Sequence, residues 1–487
     1  MVKEISIKKA AIINATSKYF NILCGVGFSV ILARLLTPDD FGVVAVTTVF
    51  TTFFSLLSDM GIGAGIIQNK TLEQDEINGI FSFIVISGGV IGFLFFLFSF
   101  LIVWIYNNSA YYGIGAVLSI SLSVSVLNIV PNAIIMKNKM FETIARRNVL
   151  IPFIAGIFGI YLASIGFKYY SLVIQSFISA LLWLIMNLYT VRKRFDLRFQ
   201  FSKMRAGMKK IVHFSSYQFA FNIINYFSRN LDNILISKVI GVGALGQYDK
   251  AYKLTLYPVQ NLTHVITPVL HPILSEHQND KDYIFKKYME IFKILSLVGV
   301  IITPICVFLA QDIILIMYGS QWKAAIPSFS FLSISLWAQL IMGSSGSIYQ
   351  SINKTKTMFI SGVITSIVTV TGIIYGIHMG NIATISLCIS LSFNINFWIT
   401  FYIMIKKAFK RQLRDIIYYL IPDLTMLLLI SLLIYGLDKS FRYQNYFVDF
   451  LVKGGFALSF YVVLLFAFKQ YKYFSFLYRP RALCDKV

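Results

Sequence analysis

Charge is what this sequence has least of. Of its 487 residues only 13% are Asp, Glu, Lys or Arg, against about a quarter in soluble domains. A chain so poor in charge cannot cover a water-facing surface, and a soluble globular class is excluded. Cysteine is scarce as well. The four present (Cys24, Cys306, Cys388 and Cys484) form no CxxC pair, so no disulfide or metal framework is implied. There is no P-loop lysine motif and no HExxH, which removes the sequence grounds for ATP or zinc chemistry. No metal and no cofactor is expected. The opening MVKEISIKKA is basic but leads into a long apolar run without a clear cleavage site, and reads as an uncleaved first helix.

What is abundant is apolar sequence. Hydrophobic residues make up 57% of the chain and the mean hydropathy is +0.73. Residues 80–106 carry no charge at all, and a run of about 20 such residues spans a bilayer. Inside lipid every backbone polar group must be paired internally, so these runs are helices. The fold class expected is an all-α polytopic membrane protein with fourteen transmembrane helices. Their approximate bounds are 10–36, 41–67, 79–106, 111–136, 145–166, 169–191, 213–240, 244–272, 284–310, 324–352, 357–379, 381–405, 416–437 and 447–468.

The net charge of +22 would suggest nucleic acid in a soluble protein; here its placement says otherwise. Most Lys and Arg fall in alternate connections, with Arg34, Lys168, Lys323, Lys439 and Arg442 on the opposite side. That asymmetry is the positive-inside pattern and predicts both termini in the cytoplasm. No nucleic-acid partner is expected; membrane lipids are.

The chain also repeats itself. At one constant offset Arg34 falls on Lys238, Phe41 and Gly42 on Leu245 and Gly246, Asn14 on Gln218, and Asn21 on Asn225. Spans 1–6 therefore recur as spans 7–12, and an even number of spans makes the repeat parallel, with its axis along the membrane normal. The expected organisation is an N-terminal lobe at 1–195, a C-terminal lobe at 196–410, and residues 411–487 holding spans 13 and 14, which have no repeat partner, and a cytoplasmic tail. A basic linker, 192–210, joins the lobes.

Two lobes of this kind suit alternating access around a site at the midplane. The polar residues within spans mark its candidates. Asn14, Lys18 and Asn21 follow the i, i+4, i+7 spacing of one helix face in span 1. Gln218, Asn222, Asn225, Arg229 and Asp232 do the same in span 7. Lys250, Lys253, Tyr257, Gln260 and His264 form a third stripe in span 8. A charge at the centre of a membrane helix costs about 2.5–3.5 kcal/mol, so each needs a partner or a watery cavity. Arg229 and Asp232 are spaced to neutralise one another. Lys18, Lys250 and Lys253 are read as lining an interlobe cavity, with snorkelling the alternative for Lys250. Asp249 lies beside Lys250 but off the stripe, a counter-ion candidate through a neighbouring helix. Asp59, Asp232 and Asp249 are the candidates for ion or proton coupling, and an interhelical hydrogen bond is the equal alternative for Asp59. Arg34 and Lys238, at helix ends, read as interface anchors. The set is cationic on balance, which favours an anionic substrate such as a phosphate or diphosphate head group.

Other features carry less. Gly241, Gly243 and Gly246 match GxGxxG but join two membrane helices, so the dinucleotide reading fails on context. Pro258, Pro268 and Pro272 in span 8 and Pro304 in span 9 each permit a kink.

The blocks ILARLLTPDDFGVVAV, LLSDMGIGAGIIQ and LDNILISKVIGVGALGQYDKAYKL…ITPVLHPILS resemble Wzx-type polysaccharide flippases. These form the polysaccharide-transporter branch of the multidrug/oligosaccharidyl-lipid/polysaccharide exporter superfamily. The resemblance runs from about residue 8 to residue 470. It implies a two-lobe fold of twelve or fourteen helices in the bacterial cytoplasmic membrane. It further implies export of a polyprenyl-diphosphate-linked oligosaccharide for capsule, O-antigen or exopolysaccharide assembly, with no enzymatic activity. A cationic cavity would receive the diphosphate and sugars, and Lys18, Arg229, Lys250 and Lys253 are the positions to fill that role. Coupling to H+ or Na+, and partnership with a polysaccharide polymerase and glycosyltransferases, belong to the same expectation. The alternatives are a multidrug antiporter of the same fold, which usually wants an acidic pocket, and a peptidoglycan-precursor flippase, whose substrate is also an anionic lipid. A membrane glycosyltransferase or polymerase would need acid/base residues on sizeable external loops, and the loops here are short. A rigid scaffold leaves the paired stripes without a purpose.

Overall fold

The computed structural model describes residues 7–478 apart from 60, 70, 194 and 276–279; the side chains of residues 7–15, 212–225, 263–273, 275, 355 and 475–478 lie outside the description. Among the described residues there is no strand. The helices are α1 (Ile7–Leu35), α2 (Pro38–Asp59), α3 (Ile62–Gln68), α4 (Gln74–Tyr106), α5 (Ala110–Leu127), α6 (Ile129–Lys137), α7 (Phe141–Ser164), α8 (Tyr169–Arg192), α9 (Met204–Val239) and α10 (Val242–Ser275). They continue with α11 (Lys281–Phe308), α12 (Ala310–Met317), α13 (Ala325–Ser333), α14 (Leu336–Met342), α15 (Ser345–Ser351), α16 (Thr355–His378), α17 (Ile382–Ile403), α18 (Arg414–Ser440) and α19 (Tyr446–Ala467). Eleven described stretches are long and apolar enough to cross a membrane, or twelve if one bent pair is a single span. The helices α9 and α10, of 36 and 34 residues, occupy the places of expected spans 7 and 8. Outward-facing Trp104, Leu23 and Phe93 are exposed, as a lipid-facing surface requires.

Expected span 10 is not one straight helix. Ala325–Ser333 and Leu336–Ser351 meet at 52°. At the joint Ile334 and Ser335 donate from their backbone N–H three residues back, and the Ser335 hydroxyl takes the Leu332 carbonyl at 2.7 Å. Hydroxyl competition and a tightened turn together bend the axis. Expected span 2 is also in two pieces, α2 and α3, parted at Gly61, whose φ of +76° is a conformation glycine reaches without strain. The prolines of expected span 8 do not interrupt α10, which is one helix throughout.

The chain divides into two compact units, Met1–Gly246 and Gln247–Val487. In the first, α1 packs on α7, α4 on α5, α7 and α5 on α8, and α9 on α2, α3 and α4. By packing, then, α9 joins the first unit, whereas the sequence expectation places it with spans 8–12. Its contacts explain this: the Tyr226 hydroxyl donates to the Val49 carbonyl, and Lys238 Nζ donates to the Ile105 carbonyl.

The elbow between α1 and α2 shows why the chain turns there. Thr37 Oγ1 accepts from the Asp40 N–H at 3.3 Å, while Asp40 Oδ2 accepts from the Thr37 N–H at 2.9 Å. With Pro38 at the first helical position this is a capping box. Asp40 Oδ1 also accepts from the Tyr169 N–H at 3.1 Å, fastening the elbow to the start of α8. The repeat-related segment packs directly on it. A Cβ on Gly42 would lie 1.9 Å from the Val242 carbonyl oxygen, and one on Gly246 would lie 1.9 Å from that of Pro38. Gly42 and Gly246 correspond in the repeat, and so do Pro38 and Val242. The contact is therefore reciprocal: each glycine meets the backbone oxygen four residues before the other. It also gives GxGxxG its reason here: close backbone approach, not phosphate binding.

The connection after α8 is tied down rather than loose. Gln200 donates to Ser82 Oγ at 2.7 Å, Gln74 Nε2 to the Asp196 carbonyl at 3.2 Å, and Lys210 pairs with Glu76 at 2.5 Å. In the second unit α11 packs on α14 and α18, α16 on α17, and α19 on α12 and α18. Its core is aromatic. Phe397 and Phe401 lie 4.7 Å apart between ring centroids, and Trp337 lies 5.2 Å from Phe397. Thus α18 and α19 are integral to this unit.

Candidate functional site

The first turns of α10 gather three of the predicted charges, Asp249, Lys250 and Lys253. Gln247 Nε2 donates to the Gln321 carbonyl at 2.9 Å, holding α10 against the connection between α12 and α13. Lys250, one turn on, is buried. Its Nζ lies 5.0 Å from the Tyr318 ring centroid and 5.9 Å from that of Trp322. Aromatic faces stabilise a cation most where water is excluded, and here two buried rings flank the ammonium. Lys253 is exposed but not alone: its Nζ pairs with Asp249 Oδ2 at 2.7 Å.

That pairing corrects the reading of the third stripe. Asp249 lies at i−4 of Lys253, so Lys253 does have an acid at helical spacing. Asp249 pairs with Lys253 on its own helix. A carboxylate four residues N-terminal to a lysine is the favoured order for such a pair.

The remaining predicted residues lie in the first unit. Lys18 and Asn21 are half-buried on α1, and Arg229 is exposed on α9. Asp232, one turn beyond Arg229, is buried and its Oδ1 accepts from the Asn233 N–H at 2.8 Å. The side chains of Asn14, Gln218, Asn222, Asn225 and His264 lie outside the described residues. Asp59 Oδ1 accepts from the Gly63 N–H at 3.3 Å, so it bridges the break between α2 and α3. Arg34 is exposed at the end of α1, while Lys238 reaches across to the end of α4.

Three polar clusters escaped the stripe reading. In the first unit Arg147 of α7 is buried, with Asn187 of α8 and Asn132 of α6 as hydrogen-bond partners at 2.6 and 2.9 Å. In the second, Lys293 of α11 pairs with Asp423 of α18 at 2.6 Å. Also in the second, Lys453 of α19 pairs with Asp449 at 2.6 Å and with Asp438 of α18 at 2.7 Å. Each is a charge inside an apolar run, which is itself a signal. Among the described residues no three His, Cys, Asp or Glu side chains converge as metal ligands would.

The profile of the family described as "Polysaccharide biosynthesis protein" matches residues 31–327. The chain belongs to that family. Among similar proteins, the lipopolysaccharide biosynthesis protein WzxC of Escherichia coli is 25% identical over 376 residues, covering 75% of this chain and 74% of WzxC. The succinoglycan biosynthesis transport protein ExoT of Rhizobium meliloti is 22% identical, covering 74% of this chain and 72% of its own. Among solved structures, the lipid II flippase MurJ in an inward closed conformation matches with a TM-score of 0.74 at 16% identity, covering 94% of this chain and 99% of MurJ. A multidrug resistance MATE family transporter of the MOP superfamily, inward-facing, matches at 0.61 and 14% identity, over 80% of this chain and 96% of that one. At these identities the structural likeness fixes the fold alone. This member of the polysaccharide biosynthesis family is thus a multi-pass membrane protein with the fold shared by MurJ and MATE proteins.

Proposed function

We propose that this chain is a flippase. It moves a polyprenyl-diphosphate-linked oligosaccharide from the inner to the outer leaflet of the bacterial cytoplasmic membrane by alternating access, feeding polysaccharide export. The observation that carries this reading is the pairing of family with fold: a polysaccharide biosynthesis chain built, over nearly its whole length, like proteins that move substrates across membranes. The charges agree with an anionic cargo. Lys18 and Arg229, with Lys250 held between aromatic rings, offer positive charge to a diphosphate, and Asn21 offers an amide for sugar hydroxyls. Both termini face the cytoplasm, with a lobe at 1–195, a second at 196–410 and spans 13 and 14 beyond. Asp59, Asp232 and Asp249 are the candidates for coupling to H+ or Na+; they are held by the Gly63 N–H, the Asn233 N–H and Lys253 respectively. The protein acts as a transporter and not as an enzyme, alongside glycosyltransferases and a polymerase.

The test is deletion followed by measurement of which leaflet holds the lipid-linked glycan. Accumulation in the inner leaflet, reversed by the intact gene, is the expected result; a glycan that still reaches the outer leaflet with no paralogue present overturns the reading. The MurJ-like fold supports a second reading, a peptidoglycan-precursor flippase. Rescue of cells depleted of their lipid II flippase would favour it over the first.

A further inference from the structure

Arg147 occupies an unusual electrostatic position. It sits on the second turn of α7 with only 2% of its surface exposed, and its guanidinium donates to two neutral amides. Nη1 donates to Asn187 Oδ1 at 2.6 Å and Nη2 to Asn132 Oδ1 at 2.9 Å. Asn187 Nδ2 in turn donates to Asn128 Oδ1 at 2.6 Å, which fixes the amide orientations. The guanidinium carbon lies 4.9 Å from the Trp183 ring centroid. The nearest acid in sequence, Glu142, pairs with exposed Arg146 instead, at 3.7 Å. Amides and an aromatic face orient a guanidinium, but they do not cancel its charge.

Beside it lies an open recess of about 450 Å³, lined by Asn128, Asn132, Arg147, Asn148 and Trp183 among others. The Nε of Arg147 is buried and has no hydrogen-bond partner. A buried donor on a full charge costs free energy until something accepts from it. The volume falls in the range that small-ligand sites occupy, roughly 300–1,000 Å³. The depth is also informative. Arg147 is six residues from the start of α7, so about 9 Å along the helix axis. The end of α6 and the turn into α7 carry Lys137 and Lys139, and the end of α8 carries Arg192 and Lys193. A phosphate at the membrane surface on this basic side would reach the recess.

We propose that the Arg147 recess is a binding site for the phosphate ester of a lipid head group, separate from the cations assigned to transport. Arg147 is the pre-organised fork that phosphate geometry prefers. The Asn amides hold that fork in place while Nε stays without an acceptor, and Trp183 walls the recess with an apolar face. The inference needs only the membrane setting and stands whether or not the chain is a flippase. Two lipids offer the same chemistry, a bulk anionic phospholipid and a polyprenyl phosphate.

The test uses the purified full-length chain, delipidated in detergent, with native mass spectrometry and thermal stability as readouts. The probes are phosphatidylglycerol, undecaprenyl phosphate and, as the phosphate-free control, diacylglycerol. The wild type is expected to retain one phosphate lipid and to be stabilised by it, while diacylglycerol does neither. Arg147→Gln should weaken that binding roughly tenfold or more. Arg146→Gln, on the exposed neighbour, should leave it unchanged. Stronger binding of phosphatidylglycerol assigns the recess to bulk lipid; stronger binding of undecaprenyl phosphate assigns it to the prenyl carrier. Equal binding by wild type and Arg147→Gln, or equal stabilisation by diacylglycerol, overturns the proposal. Should Arg147→Gln fail to fold, Arg147→Lys decides. It keeps the charge but loses the fork, and undiminished phosphate binding there overturns the proposal equally.

Discussion

Lys293 Nζ lies 2.6 Å from Asp423 Oδ1, and neither side chain is more than 2% exposed. The pair is fully dressed. Lys293 also donates to the Tyr419 carbonyl at 2.8 Å, and Ser296 Oγ donates to Asp423 Oδ2 at 2.5 Å. Trp337 Nε1 donates to Ser296 Oγ at 3.0 Å, extending the network to α14. It fastens α18 to α11. Removing one member of such a pair strands the other charge in an apolar interior.

Lys293→Ala is therefore expected to destabilise the protein by about 3–5 kcal/mol, seen as lost membrane abundance and a lower thermal midpoint in detergent. The double variant Lys293→Met with Asp423→Leu removes both charges and should recover most of that loss. An abundant, thermally unchanged Lys293→Ala would show that the pair contributes nothing to holding α18.

The reciprocal glycine contact makes a sharper steric prediction. A Cβ on Gly246 would sit 1.9 Å from a backbone oxygen, which cannot rotate away as a side chain can. Gly246→Ala should reduce folded protein severalfold, and Gly42→Ala likewise, because the same contact recurs with the copies exchanged. Gly25→Ala, where nothing lies within 4 Å, should be neutral or slightly stabilising, since alanine is the better helix former. Quantitative immunoblotting of membranes separates the three.

These two features mark where the sequence is informative. The uncharged run at residues 80–106 and the match of Gly42 with Gly246 are local or periodic, and both were legible. The pair of Asp249 with Lys253 was legible too, since i and i+4 share a helix face, but adjacency to Lys250 suggested a different partner. Lys293 and Asp423 stand 130 residues apart on helices that no repeat relates, so spacing along either helix says nothing of the other. Arg147 and Arg146 are indistinguishable by periodicity; only Asn132 and Asn187, brought in from α6 and α8, make one buried and leave the other in solvent.

Asp312 supplies a pH dependence. It lies on α12, in the connection after α11, and is buried with its Oδ1 unpartnered. Burial first, then the nearby Asp449 carboxylate, push its pKa up to about 6; Asp438 adds to this, while Lys453 and Arg442 oppose it. For a carboxyl raised in the folded state, the stabilising contribution is complete below the ordinary value of about 3.9. It is lost as pH rises through about 6. Wild type should therefore lose thermal stability between about pH 4 and pH 7 through this group. Asp312→Asn should flatten that slope and raise the melting temperature at about pH 8. A variant that keeps the wild-type slope would assign the dependence to another group.

Arg229 gives the prediction closest to transport. Its side chain is exposed on α9, whereas Lys250 is enclosed by Tyr318 and Trp322. Replacing an exposed arginine removes little packing, so Arg229→Ala should leave membrane abundance within about twofold, as surface substitutions generally do. If the charge receives the diphosphate, transport should nonetheless fall roughly tenfold or more, the worth of one charge-assisted hydrogen bond. Arg229→Lys should restore only part of it, because a point charge replaces the bidentate fork. Lys250→Met behaves differently under the same assay. It keeps the stem's packing between the rings and loses the cation, so a normal amount of protein with poor export would place Lys250 in the cargo path. Unchanged export by both Arg229→Ala and Lys250→Met would remove these two residues from the transport site.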